Sequence, residues 1–247
     1  MSKIKPFLIL QLRPEDEAAD NELEAFIKFG RINDVERIRI DKEDLIGIDL
    51  NRYSGVIVGG GPSNVSDSEE KKSANQKRFE GQLHDLLDEI IEADFPFLGT
   101  CYGLGILAKH LGGQVSKEIS KPVGAVEISL TKEGKEDHLI SSIAPKFRAF
   151  AGHKESATSV PDRVTVLGGN KTCPIQIIKY QNNIYATQFH TELDQAGLAL
   201  RINIYRHAGY FAPEDADMLI AESKREKITE PEKILAKFIE KYASFQD

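Results

Sequence analysis

The stretch Phe95-Pro96-Phe97-Leu98-Gly99-Thr100-Cys101-Tyr102-Gly103-Leu104-Gly105-Ile106-Leu107-Ala108 decides how the chain is read. A short apolar run bounded by Pro96 has the form of a buried strand. Leu104, Leu107, Ala108 and Leu111 then recur at helical spacing. Strand, sharp turn and helix therefore meet at Gly-x-Cys-x-Gly. Glycines two places either side of a nucleophile let the backbone make the strained turn that exposes it, a nucleophile elbow with Cys in place of Ser. At a helix N-terminus the dipole and the unpaired N–H groups favour the thiolate, the form that attacks carbonyl carbon, so Cys101 is expected to be an activated thiol. Taken alone, the stretch also suits a buried structural cysteine beside two loop glycines.

Composition narrows the class of protein around this stretch. The 247 residues can bury a substantial core, in one large α/β domain or two small ones. Lys and Arg total 32 against 39 Asp and Glu, a net charge of −7 with no dense basic block, which argues against nucleic-acid binding. The start lacks signal-peptide form and no apolar run approaches membrane-spanning length, so a soluble, cytoplasmic protein with no membrane partner is expected. Two cysteines, Cys101 and Cys173, are too few for a disulfide framework and lack C-x-x-C spacing, so no structural metal site is expected.

Working outward, Pro6 to Leu12 is almost continuously apolar, as in a central strand covered on both faces. A helix follows, with Pro14 in its first turn, acidic Glu15, Asp16 and Glu17 at its positive end and Gly30 at its close. Val35 to Ile40 alternates like a strand with one exposed face, nearer the sheet edge. Tyr53 to Val58 is a third strand, and Asn75 to Ala93 an amphipathic helix with Phe79, Leu83, Leu86, Leu87, Ile90 and Ile91 on one face. Beyond Gly112-Gly113 come short strands at Val123 to Thr131, Phe147 to Phe150, Val164 to Leu167, Pro174 to Tyr180 and Ile184 to Phe189. Asn182-Asn183 is read as a hairpin turn, so this region is expected to be more antiparallel. Helices are predicted from about Asp194 to Tyr205 and from Pro231 to Ile239. No repeat, low-complexity tract or linker divides the chain, and a single domain over 1–247 is expected.

Two more segments carry chemistry. The third strand runs into Gly59-Gly60-Gly61-Pro62-Ser63-Asn64, which is either a plain turn or a loop that brings backbone N–H groups to a developing negative charge. It lacks the Gly-Lys-Ser/Thr of a P-loop and the dinucleotide fingerprint, so no nucleotide cradle is expected. The last strand ends in Ala186-Thr187-Gln188-Phe189-His190-Thr191-Glu192. A carboxylate two residues after a histidine can fix its tautomer while the other ring nitrogen takes a proton from a thiol, though a histidine at a strand end is commonly a plain surface residue. Of the other histidines, His84, His110, His138 and His207 look like surface positions, whereas His153 stands in a more suggestive context.

In order and separation, Gly59-Gly60-Gly61-Pro62, Gly99-Thr100-Cys101-Tyr102-Gly103 and Gln188-Phe189-His190-Thr191-Glu192 resemble the motifs of the class I glutamine amidotransferases, the Cys-His-Glu family. Within it the resemblance is to free-standing amidotransferases similar to the glutaminase half of GMP synthase. It implies a flavodoxin-like α/β fold, a mainly parallel sheet flanked by helices, with an added antiparallel portion. It also implies Cys101, His190 and Glu192 as the catalytic triad, with backbone N–H groups of Gly61 and Tyr102 as the oxyanion hole. Phe150 to Glu155 occupies the place of that group's Ser-His-Gly-Asp-like segment, so Gly152 and His153, with Gly60 and Gly105, are expected to bind substrate. No metal or organic cofactor takes part in the implied chemistry.

Two departures bear on specificity. The family often has Gln four residues after the nucleophile, where this chain has Gly105, and Pro between the catalytic His and Glu, where it has Thr191. With no synthetase domain or P-loop in the 247 residues, an ammonia-consuming synthetase is expected on a separate chain. Three functions follow from different classes: a glutaminase serving such a partner, a stand-alone hydrolase of γ-glutamyl amides or peptides, and a non-catalytic regulatory module.

Overall fold

In a computed structural model, which describes residues 4–244, the chain runs β1 (Phe7–Gln11), α1 (Asp16–Gly30), β2 (Val35–Arg39), β3 (Gly55–Val58), α2 (Ala74–Glu92), β4 (Phe97–Thr100), α3 (Tyr102–His110) and β5 (Gln114–Ser116). It continues through β6 (Lys121–Leu130), α4 (Lys132–Glu136), β7 (Lys146–His153), β8 (Ser156–Ser159), β9 (Val164–Gly169), β10 (Ile177–Tyr180) and β11 (Ile184–Thr187). The helices α5 (Gln195–Ile204), α6 (Ala216–Ser223) and α7 (Glu230–Tyr242) complete it.

Nine strands form one sheet in the order β2-β1-β3-β4-β11-β10-β9-β6-β7. The first five are mutually parallel, the 2-1-3-4-5 order of flavodoxin-like sheets, and every pairing beyond β11 is antiparallel. The expected fold class is therefore observed, and β11 is the seam between its two halves. Period-two alternation divides the core. Leu8 and Leu10 of β1 face α2 and α3, packing with Phe79, Leu83, Leu87 and Leu104, whereas Phe7 and Ile9 face Phe26 of α1 and Ile234 and Phe238 of α7. Each such fully buried side chain contributes about 1.5–3 kcal/mol relative to exposure. A third cluster, Phe150 with Leu193, Leu198, Ile202 and Ala216, packs α5 and α6 onto the antiparallel half. No helix among the described residues is long and apolar enough to cross a membrane.

Several local expectations are corrected. Helix α1 begins after Glu15, so Pro14 precedes it, and its left-handed closing residue is Arg31 at φ 54°. Gly30 serves packing instead: an added Cβ would lie 2.9 Å from Ile32 and 3.2 Å from Ile239. In the β10–β11 hairpin the positive φ falls on Gln181, while the Asp94 carboxylate accepts from the backbone N–H groups of Asn182 and Asn183. His84 and His110 are half-buried and stacked on each other between α2 and α3, with ring centroids 5.1 Å apart. Strands β5 and β8 and helices α4 and α6 have too few residues for their periodicity to stand out, and sequence reading missed them.

Candidate active site

Adjacent parallel strands β3, β4 and β11 end on the same side of the sheet, and each C-terminal end delivers one of the three motifs. Register sets Thr100 opposite Thr187, and the Cys101 N–H donates to the Thr187 carbonyl at 2.7 Å. Two segments far apart in sequence are thus held side by side.

Cys101 itself adopts φ 54° and ψ −96°, the strained backbone of an elbow. The flanking glycines permit close packing of strand on helix. A Cβ on Gly99 would lie 2.7 Å from the Gly103 carbonyl, and one on Gly103 would lie 2.9 Å from the Val58 carbonyl. Tyr102 opens α3, so its N–H has no intrahelical acceptor.

His190 Nδ1 lies 2.8 Å from Glu192 Oε1, with both side chains buried. The hydrogen bond makes Nδ1 the donor and leaves Nε2 as the nitrogen available to a thiol. Cys101 and His190 line the same cleft, about 40 Å³ in volume, together with Arg13, Gly61, Leu193 and Tyr210. A second cleft of about 20 Å³ also borders Cys101 and is lined by Tyr102, Gly105, Gly152, His153, Lys154 and Glu155. Gly61, Gly152 and Tyr210 border both. The expected positions thus converge on one place. Gly60 differs from the rest: it packs beneath His190, where a Cβ would lie 2.6 Å from Cε1.

The helix N-terminus that favours the thiolate is opposed here by burial. Burial pushes the Cys101 thiol up to about 12, with Arg13 acting against the rise and Glu155 adding to it. A displacement from 9 to about 12 corresponds to about 4 kcal/mol, whereas a helix terminus supplies at most about 2 kcal/mol. Desolvation wins. Burial likewise lowers His190 below its ordinary value, with Glu192 opposing and Arg201 and Arg13 reinforcing the fall, so the resting pair is thiol and neutral imidazole. Burial would neutralise Glu192 too, but its attraction for a proton on His190, the hydrogen bond it accepts from Nδ1 when the ring is neutral, and then Arg201 keep it ionised, well below the usual carboxylate range. His153, buried with Nδ1 3.2 Å from Ser156 Oγ, is lowered to about 4 chiefly by burial.

Around the pair lies a charged network that sequence reading missed. Arg201 of α5 donates from Nη1 and Nη2 to Glu192 Oε1, each at 3.1 Å. Arg13, just past β1, donates through Nε to Glu22 Oε1 of α1 at 2.7 Å, and Gln11 donates to Glu22 Oε2 at 3.1 Å. Glu22, His190 and Glu192 bring ligand-type atoms within 4.8 Å of one another. The two guanidinium groups already neutralise the carboxylates, and the residues do not suit a metal ion.

The match to the glutamine amidotransferase class-I family model extends over residues 16–196, most of the chain. The chain belongs to that family. Among its relatives, a glutamine-hydrolyzing GMP synthase of Petrotoga mobilis is 32% identical over 151 residues, 59% of this chain but only 26% of that protein. The chain therefore spans about a quarter of that relative's length. A chain of Methanobrevibacter smithii named as one subunit of a glutamine-hydrolyzing GMP synthase is 30% identical over 147 residues, 59% of this chain and 67% of that one. A solved glutamine amidotransferase from Thermotoga maritima superposes with a TM-score of 0.77 at 20% identity, covering 96% of this chain and 98% of the other.

Proposed function

We propose that the protein hydrolyses the γ-amide of glutamine and delivers the ammonia to a synthetase on a separate chain. The observation that carries this reading is the shared cleft of Cys101 and His190, with Glu192 holding His190 Nδ1. As glutamine binds, His190 Nε2 takes the thiol proton and Cys101 Sγ bonds to the amide carbon. The oxyanion is held by the N–H groups of Gly61 and Tyr102. His190 then passes its proton to the leaving nitrogen, the C–N bond breaks, and ammonia departs from a γ-glutamyl thioester. Water attacks the thioester, His190 takes its proton and returns it to sulfur, and glutamate is released. Glu192 stays ionised throughout and compensates the imidazolium. Relatives named as one subunit of GMP synthase support a separate partner.

A second reading, hydrolysis of larger γ-glutamyl amides, is favoured by one feature. A Cβ on Gly105 would meet Val65 at 3.4 Å and Glu155 at 3.8 Å, ordinary contact distances, and Gly105 lines the cleft beside Cys101, so the side chain with which the family recognises glutamine is absent from that wall. Ammonia and glutamate release should be measured from glutamine and from a panel of γ-glutamyl amides, with and without cell extract. A kcat/KM highest for glutamine, raised by extract, is expected. Turnover of peptides alone would transfer the site to the second reading, and no turnover of either, with Cys101 inert to glutamine-like electrophiles, would end both.

A further inference from the structure

Three donors converge on one oxygen. Glu192 Oε1 accepts from His190 Nδ1 at 2.8 Å and from both terminal nitrogens of Arg201, while Arg201 Nη1 stands 3.2 Å from His190 Nδ1. Nδ1 already donates to Glu192, so it has no lone pair for Arg201, and that approach places a fixed positive charge against the ring. Behind it, Arg201 Nη2 lies 3.7 Å from Glu22 Oε1, which Arg13 also holds. All four charged side chains are almost wholly buried, so water screens them little. Each guanidinium faces a carboxylate, and the net charge of the four is zero.

We infer that Arg201 is a positioning residue of the triad, with Glu22 as its counterweight: its fork fixes the Glu192 carboxylate, and its charge sets how readily His190 accepts a proton. The inference rests on the reading of His190 as the base. A proton on His190 is opposed first by burial and then by Arg201 and Arg13, and is favoured by Glu192; Glu22, whose carboxylate comes within 4.8 Å of the ring, stands on the same side as Glu192. The lowered His190 proton affinity and the ionised Glu192 are both consistent with that balance. Among the described residues, the other titratable groups that face the ring are Cys101 at the start of α3, His153 on β7, and Tyr205 and Tyr210 beyond α5. None of these is charged at rest, so beside burial the balance lies between Arg201 and Arg13 on one side and Glu192 and Glu22 on the other.

The two variants have opposite signs, which separates a charge role from loss of packing. The His190 ring should be titrated by two-dimensional NMR in the wild type, Arg201→Gln, Arg201→Lys and Glu22→Gln, with its resonance assigned from His190→Gln. Arg201→Gln should raise the His190 midpoint by about one pH unit and Glu22→Gln should lower it by a similar amount, as expected for a single nearby charge. Arg201→Lys should stay near the wild-type midpoint while losing kcat, because an ammonium keeps the charge without the fork. In turnover assays the acid limb of kcat/KM should move with each midpoint. An unmoved midpoint in folded Arg201→Gln and Glu22→Gln would overturn the inference, as would lost kcat with an unmoved limb. Should Arg201→Gln fail to fold, a downward shift in Glu22→Gln supports the inference and an unmoved one overturns it. The titration needs no turnover. Shifted midpoints in a protein that hydrolyses no glutamine would leave the electrostatic role standing and remove the proposed reaction.

Discussion

Cys101 and Cys173 are both held as neutral thiols by burial, so their reactivity should differ only where a neighbouring base intervenes. A glutamine-like electrophile should label Cys101 stoichiometrically and much faster than Cys173, whose Sγ sits 3.4 Å from Ser156 Oγ in the core. Equal labelling of the two, followed by peptide mass mapping, would remove Cys101 as the nucleophile. Glu192→Gln should lower kcat by about 10²–10⁴-fold and His190→Ala by more, since in the former the base persists without its orienting charge. His153 makes a prediction for stability. Its folded value lies below its unfolded one, so the unfolded chain binds more protons between about 6.5 and about 4, and stability must fall as pH drops through that window. The displacement corresponds to about 3 kcal/mol. His153→Gln should flatten the acid side of a denaturant-midpoint profile, and an unchanged slope would count against a buried neutral ring. The residues of the proposed triad stood out in the sequence because each stands beside a strand end and a turn residue. Arg13, Glu22 and Arg201 were not, although a signal existed. Glu22 shares the face of Ala18, Ala19 and Phe26, and Arg201 shares that of Leu198, Ile202 and Tyr205, so each is a charge on an apolar helix face that demands a buried partner.

Elements meet most tightly where β4 passes into α3. Because a Cβ on Gly103 would press on the Val58 backbone carbonyl, which cannot swing away, Gly103→Ala should cost about 1–3 kcal/mol in denaturant unfolding. Gly81 in α2 is the control: its Cβ position is open, and Gly81→Ala should stabilise by roughly 1 kcal/mol. If Gly103→Ala were as stable as the wild type, close packing would not explain the glycine. The same contrast shows what could be read of the elements beforehand. Apolar runs located β1, β3 and β4, and helical spacing located α2 and α3, nearly to their ends. Boundaries set by tertiary contact were illegible, as in α1, where Tyr205 Oη donates to Glu15 at the helix entrance.

Across the whole molecule, the sheet order separates what the chain order joins. β4 is followed by the entire antiparallel half before β11 returns to lie beside it, and only then does the Cys101 N–H find the Thr187 carbonyl. Long-range pairing of this kind closes slowly, since the loop must be ordered before the contact repays it. On the ribosome, the parallel strands through β4 and the elbow cysteine emerge well ahead of the histidine that would arm it. A nascent or half-folded chain should therefore carry a harmless thiol, and the proposed release of ammonia from glutamine could not begin before synthesis has passed β11. Pulse labelling during refolding of the full chain checks this: capture of Cys101 by a glutamine-like electrophile should appear with the last kinetic phase, and capture in an early phase would mean that the site assembles without its seam strand.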